Sequence, residues 1–177
     1  MKQTSFTLLL AVLMSMVGLQ AFADFDTSTK IQVGDLYYYL DNDNLQAEVA
    51  SKTRGGYYTD DIVIPSDITH EAKTYSVTSI GDAAFSGCYG LTSVTIPNSV
   101  TSIGYAAFDY CSGLTSINIS DVAAWCEIDF VNLESNPLYY AHHLFINGEE
   151  IKDLVIPNVI SHFRPVKAYN NHIFSNL

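Results

Sequence analysis

The residues of this chain best suited to chemistry are three cysteines, a histidine pair and scattered carboxylates and hydroxyls, and their spacing decides what they can do. His142 and His143 are adjacent. On an extended segment they point to opposite faces, which prevents joint ligation of one metal ion. Cys126 is the nearest thiol in sequence, and no C-x-x-C or H-x-x-x-H spacing supports a zinc site. Asp41-x-Asp43 begins like a calcium loop, but Gln46 stands where the loop needs Gly and Lys52 where it needs Glu. The segment reads as a solvated turn. Serines are abundant, yet no G-x-S-x-G element presents one as a nucleophile. Gly55-Gly56 is followed by no Lys-Ser/Thr and reads as a turn, not a phosphate loop. Asn118-Ile119-Ser120 is a formal glycosylation sequon, but it lies inside a repeat strand. This inventory predicts no catalytic residue, metal or cofactor.

What must position these side chains is a repeat. Residues 76–97 read SVTSIGDAAFSGCYGLTSVTIP, and a shift of 23 gives SVTSIGYAAFDYCSGLTSINIS at 99–120, with 15 of 22 positions identical. A fixed period in this range marks units that cannot bury their apolar faces alone and stack on their neighbours. Leu91-x-x-Val94-x-Ile96 recurs as Leu114-x-x-Ile117-x-Ile119, the strand pattern of a leucine-rich repeat. Val94 and Ile96 point inward and Thr95 outward. A second short strand is predicted at Val77–Ile80 and at Val100–Ile103. Gly81 or Gly104 follows it, where a tight bend takes positive φ. Ile80, Phe85, Leu91, Val94 and Ile96, with Ile103, Phe108, Leu114, Ile117 and Ile119, form the predicted core.

Partial copies flank the pair. Asp61-Ile62-Val63-Ile64-Pro65 matches Ser93 to Pro97, with an insertion whose turn is His70-Glu71-Ala72-Lys73. Ile151 to Pro157 matches again, 37 residues on from Ile119 at Ile156. Cys88 and Cys111 stack on adjacent coils, so their parallel Cβ vectors stay about 5 Å apart, beyond the ~3.8 Å a disulfide prefers. They and Cys126 read as buried free thiols. Lys30 to Ala50 reads as a β-hairpin turning at Asp41-Asn42-Asp43-Asn44, a cap for the first coil.

The string VTSIGDAAFSGCYGLTSVTIPNSVTSIGYAAF resembles the BspA-like leucine-rich repeats of bacterial surface proteins. The stretch 120–157, with Asp121, Ala124-Trp125-Cys126, Asn136-Pro137-Leu138-Tyr139-Tyr140 and Gly148, is similar to a variant repeat of that family. Gly34 to Tyr38 and Lys73 to Val77 resemble its opening hairpin and lead-in strand. The resemblance implies a mostly β, right-handed leucine-rich-repeat solenoid with an N-terminal β-hairpin cap. It also implies a binding partner that is a host matrix or plasma protein, or another cell surface, as for adhesins. The other reading is capture of a glycan or peptide for nutrition.

The first 23 residues read as a secretory signal, with Lys2, an apolar run from Leu8 to Val17 too short to span a bilayer, and cleavage after Ala23 at Ala21-Phe22-Ala23. The expected organisation is therefore 1–23 signal peptide, 24–58 hairpin cap, 59–158 repeats and 159–177 a partial repeat. The repeats comprise full copies 77–99 and 100–122 and the variant 120–157. The last segment, Val159 to Leu177, reads either as a truncated frame or as an improvised cap, and is expected to be the least ordered part. The chain is expected outside the cytoplasm, at the bacterial surface, in the periplasm or secreted. The full chain carries a formal charge of −11; without Lys2 it has 7 basic against 19 acidic residues, or −12. Such a surface repels nucleic acid and anionic membrane.

Function then falls to the surface. Thr92, Ser93 and Thr95, with Thr115, Ser116 and Asn118, form a predicted outward polar ladder, and Thr78, Ser79, Thr101 and Ser102 a second. Serine and threonine also solvate any sheet of good β-propensity. Aromatic anchors sharpen the binding reading. The candidates are Tyr89, Tyr105 and Tyr110, which stand where the other copy has Ser112, Asp82 and Gly87, together with Trp125, Tyr57, Tyr58, Tyr139 and Tyr140.

Overall fold

A computed structural model describes residues 25–52 and 55–151. The expected signal peptide, the strand expected at Ile151–Pro157 beyond its first residue, and the partial repeat at 159–177 lie outside the described residues. The described chain is mostly β. Its strands are β1 Asp26–Val33, β2 Leu36–Asp41, β3 Gln46–Ala50, β4 Asp60–Val63, β5 Asp67–His70, β6 Lys73–Ile80, β7 Leu91–Thr95, β8 Ser102–Ile103, β9 Ser116–Ile119, β10 Asp129–Phe130, β11 His143–Ile146 and β12 Glu149–Glu150. One five-residue helix, α1 Val122–Cys126, and two 3₁₀ turns at Leu133–Ser135 and Pro137–Tyr139 interrupt them.

From β6 onward the chain alternates between two sheets. The first runs β1-β2-β3-β6-β8-β10, with β5 also on β6; the second runs β12-β11-β9-β7-β4. In the second sheet Ile62, Val94, Ile117 and Leu144 stand side by side in parallel register. In the first, Val49, Ile80, Ile103 and Phe130 do the same. The 23-residue sequence period is therefore one passage through both sheets, and it places equal residue types on neighbouring strands. All ten residues expected in the core are buried, in one cluster fed by both sheets. An aromatic column runs through it: Tyr58 to Phe85 at 5.0 Å between ring centroids, then Phe85 to Phe108 at 5.0 Å. Burying each such ring contributes about 1.5–3 kcal/mol.

The segments between β6 and β7 and between β8 and β9 are turns, and their backbone groups are paired on both sides. Within a turn, Cys88 N–H donates to Phe85 O and Cys111 N–H to Phe108 O. Between turns, Ala83, Phe85 and Gly87 donate to Tyr105, Ala107 and Asp109 carbonyls at 2.8–2.9 Å. The glycines that open these turns act differently from the expectation. Positive φ falls on Ala83 and Ala106, both at 52°, and Gly81 and Gly104 are absent from the left-handed region. Gly104 is needed for close approach instead: a Cβ there would sit 2.7 Å from Asp82 N and 2.9 Å from the Gly81 carbonyl carbon.

Three further expectations are corrected. The expected N-terminal hairpin is a three-stranded antiparallel meander, because Asp26–Val33 forms a strand of its own on β2. Its last strand, β3, pairs in parallel with β6 and so continues the first sheet. Asp41 at its turn is buried, not solvated, since its Oδ1 accepts the Asp43 and Asn44 N–H groups at 2.9 and 3.0 Å. In the second sheet the strand next to β9 is β11, which precedes the expected Ile151–Ile156. Residues 122–141 fold as α1, β10 and the 3₁₀ turns within one passage, which leaves His143–Ile146 to pair in register with β9. The insertion expected before Ile96 is the β5–β6 hairpin, turning at Glu71 and Ala72 as expected.

Candidate functional surface

The second sheet turns two outward rows to its outer face. Asp61, Ser93, Ser116 and His143 are in register in one; Val63, Thr95, Asn118 and Phe145 are in register in the other. Thr92 and Thr115 are exposed, while Ser93, Thr95, Ser116 and Asn118 are half-buried by their neighbours across the strands. The expected ladder is thus assembled, and it has ends that the repeat pattern left out. At one end Thr92 Oγ1 and Ser93 Oγ both donate to Asp61 Oδ1, at 2.7 and 2.8 Å. These bonds hold the Asp61 carboxyl below its ordinary pKa, Thr92 contributing most. At the other end His143 Nδ1 pairs with the Glu150 carboxylate.

The first sheet carries a parallel arrangement. Glu48, Ser79 and Ser102 are in register, Asp129 follows beside Ser102, and the hydroxyls form a chain. Ser102 and Ser79 Oγ lie 3.2 Å apart, and Ser79 Oγ donates to Glu48 Oε2 at 3.0 Å. Burial pushes the Glu48 carboxyl up; the Ser79 bond opposes that and Asp82 adds to it. Thr101 reaches across to the Thr78 carbonyl.

A third surface is the turn edge between the sheets. Tyr89, Tyr105 and Tyr110 are 60, 61 and 62 % exposed, as their variability between copies suggests. Tyr57 and Tyr139 are exposed beside them, and the Tyr57 and Tyr89 rings lie 6.4 Å apart. Tyr140 is half-buried: its hydroxyl accepts the Tyr110 N–H at 2.9 Å and donates to Asp109 Oδ1 at 3.1 Å. Two of the aromatic candidates are not surface residues. Trp125 packs edge-on against Phe130, 5.4 Å between centroids, and is buried. Tyr58 is buried too, and its hydroxyl is satisfied by donating to Ala50 O and accepting from Tyr37 N–H.

The thiols are core. Cys88, Cys111 and Cys126 are free and buried, and burial raises all three above the ordinary thiol pKa, Cys111 to about 12. Among the described residues, no three or more His, Cys, Asp or Glu side chains gather where a metal could sit. No described helix is long and apolar enough to cross a membrane. A groove of about 480 Å³ opens between the β1–β2 turn and β4, lined in part by Val33, Leu36, Tyr38, Ile62, Val63 and Ile68.

Asp61 was within reach of sequence reasoning, since Asp61-Ile62 aligns with Ser93-Val94. His143 was not, because β11 lacks the L-x-x-L-x-L pattern that marks β7 and β9.

In-register apolar rows on two sheets, a 23-residue period and a surface that varies between copies define a leucine-rich-repeat protein. Residues 65–172 match the family described as BspA type leucine-rich repeat region, in 6 copies, and the chain belongs to that family. Among solved structures it is similar to a leucine-rich cell-surface protein of Faecalibacterium prausnitzii, at 37 % identity over 54 % of this chain and 24 % of that one, TM-score 0.46. A leucine-rich repeat protein of Bacteroides capillosus matches at 27 % identity over 66 % of this chain and 97 % of the other, TM-score 0.43. One of Bacteroides ovatus matches at 25 % over 72 % and 35 %, TM-score 0.45. The chain thus spans about a quarter of the first of these proteins and about a third of the third. No curated protein matches it in sequence.

Proposed function

We propose that this chain is an exported, non-enzymatic binding module that works by protein–protein interaction at or beyond the bacterial surface. The observation that carries this reading is the division of labour within the repeat. Positions facing inward are the same from copy to copy apart from the aliphatic exchange Val94/Ile117, whereas Tyr89/Ser112, Asp82/Tyr105, Gly87/Tyr110 and Thr95/Asn118 change chemical type and lie on the surface. A stacked framework that holds its core constant while its exposed positions change is suited to recognition, where a few aromatic anchors supply most of the affinity. The proposed partner-binding surface comprises Thr92, Ser93, Thr95, Thr115, Ser116 and Asn118 on one face and Tyr89, Tyr105 and Tyr110 on the edge. The partner class is a host matrix or plasma protein. The layout belongs to the same reading: signal peptide 1–23 removed after Ala23, cap 24–58, right-handed solenoid 59–158 and partial repeat 159–177.

The groove beside β4 supports a second reading, capture of a peptide or glycan for nutrient uptake. Among the described residues β4 ends its sheet, and a strand edge of this kind accepts an extended peptide. A defined panel of purified matrix and plasma proteins, run beside a glycan array and a peptide library against the immobilised chain, decides between the two. Saturable capture of a matrix or plasma protein supports the first. Glycan or peptide binding with indifference to those proteins reverses the order.

A further inference from the structure

Between Lys73 and Lys152 the chain has no Lys or Arg and eight Asp or Glu, so the repeat body has carboxylates and no basic side chain except histidine. The chain's own cations are spent elsewhere. Lys30 lies over Tyr39 at 5.4 Å and Lys52 over Tyr58 at 5.0 Å, both outside the 23-residue copies. The exposed rings of the turn edge have no such cover among the described residues.

That edge is continuous. Tyr57 and Tyr89 face each other at one end. Gly87 follows, so close to Tyr57 that a Cβ on it would meet the ring at 3.0 Å, and its N–H bonds Asp109 O. Tyr110 comes next, in the left-handed region at φ 58°, where the preceding copy has Gly87 at 73°. Tyr140 bridges Tyr110 to the Asp109 carboxylate, and Tyr139 meets Tyr140 edge-on at 4.9 Å. A large exposed ring held at a backbone conformation that favours glycine is a cost the framework does not require, since the neighbouring copy dispenses with it. Phenol faces with a carboxylate among them match one chemistry, a guanidinium or ammonium group stacked on a ring and paired to the acid.

We propose that the turn edge bearing Tyr57, Tyr89, Tyr110 and Tyr139, with Asp109 in its midst, docks an arginine-rich cationic segment of a protein partner. This rests on the protein-binding reading above and names the partner chemistry for it. Arginine is favoured over lysine because its planar guanidinium stacks on a ring while bonding a carboxylate.

The test uses fluorescent octa-arginine, octa-lysine and octa-glutamate peptides with the full chain at physiological salt. The key variant carries Tyr89→Ser and Tyr110→Gly, the residues the sister copies have at these positions, and leaves the net charge unchanged. A control carries Thr27→Ala and Thr74→Ala, at exposed positions of β1 and β6 outside the proposed binding surface. Octa-arginine is expected to bind more tightly than octa-lysine, octa-glutamate not at all, and the tyrosine variant to weaken octa-arginine about tenfold with the control unchanged. Equal binding to the chain and to the tyrosine variant means adsorption to an acidic surface and overturns the proposal. If circular dichroism shows the double variant misfolded, Tyr89→Ser alone carries the comparison, with the same two outcomes. A chain that captures a matrix or plasma protein but ignores octa-arginine refutes this edge and leaves the binding module standing. A chain that captures neither refutes both.

Discussion

The rings of Phe85 and Phe108 lie 5.0 Å apart at centroid and 11° from parallel, so the two copies of the repeat meet through the same residue. Both are fully buried, with Tyr58 against the outer face of Phe85. Stacking of like on like is the direct consequence of a 23-residue period folded in register.

Phe85→Ala is accordingly expected to cost about 3–5 kcal/mol, the range for a buried phenylalanine in a packed core. Because Phe108 shares the contact, the double variant should cost less than the two single losses together. Urea titration measures both. A loss under about 1 kcal/mol for Phe85→Ala would remove it from the core.

Gly104→Ala and Gly81→Ala should separate two kinds of crowding. At Gly104 the obstructing atoms are Asp82 Oδ1 and, close behind it, the backbone of Asp82 and Gly81; at Gly81 they all belong to the Glu48 side chain. Backbone cannot yield as a side chain can. The Gly104 variant is therefore expected to lose about 1–3 kcal/mol, and the Gly81 variant less. Glu48→Ala should relieve the Gly81 variant only. Denaturation midpoints of the four chains check this, and rescue of Gly104→Ala by Glu48→Ala would contradict it.

Glu48 also sets a pH dependence. Burial raises its pKa in the fold above the unfolded value, so the native state binds the extra proton between the two. Stability from this group is present at low pH and is lost as pH rises through that window. Glu48→Gln, which keeps an acceptor for Ser79, should be more stable than the parent at pH 7, with the gap closing below about pH 4. A constant gap across that range would show that the carboxyl is not the cause.

The thiols offer a chemical check. All three are buried with raised pKa, and a thiol reacts as thiolate. A disulfide reagent at pH 8 is expected to label none of them rapidly in the folded chain and all three in denaturant. A single titratable thiol in denaturant would mean that two of the three are joined in a disulfide and would contradict this.

Much of the framework was legible because period and pattern reinforce each other. Leu91, Val94 and Ile96 recur at Leu114, Ile117 and Ile119, so one copy interprets the next. Legibility failed where that redundancy stops. Leu144 pairs with Ile117, but it sits in His-Leu-Phe-Ile after α1 and two 3₁₀ turns, and nothing in its neighbours repeats. Gly104 was read for its backbone freedom, when its role is the space beside Asp82, a contact between coils that one copy cannot reveal. Trp125 and Tyr58 carry polar atoms and look fit for a surface. Phe130 covers the first, and the Ala50 and Tyr37 backbone satisfies the second. The outward rows were legible in part, since Thr92, Ser93 and Thr115 follow the repeat whereas Asp61, His143 and Glu150 close it from outside.

On the proposed reading the stacked core is inert and the exposed tyrosines of the turn edge, which vary between copies, carry most of the binding. This reading is tested most directly by giving Tyr89, Tyr105 and Tyr110 the residues of the sister copies, Ser, Asp and Gly. The measurement is the affinity of this chain and its parent for each member of a purified panel of matrix and plasma proteins, with melting followed in parallel. Melting is expected to stay within the few degrees a surface change produces, with at least a tenfold loss of affinity for whichever panel protein the parent captures. Unchanged affinity in a fully folded variant would contradict it.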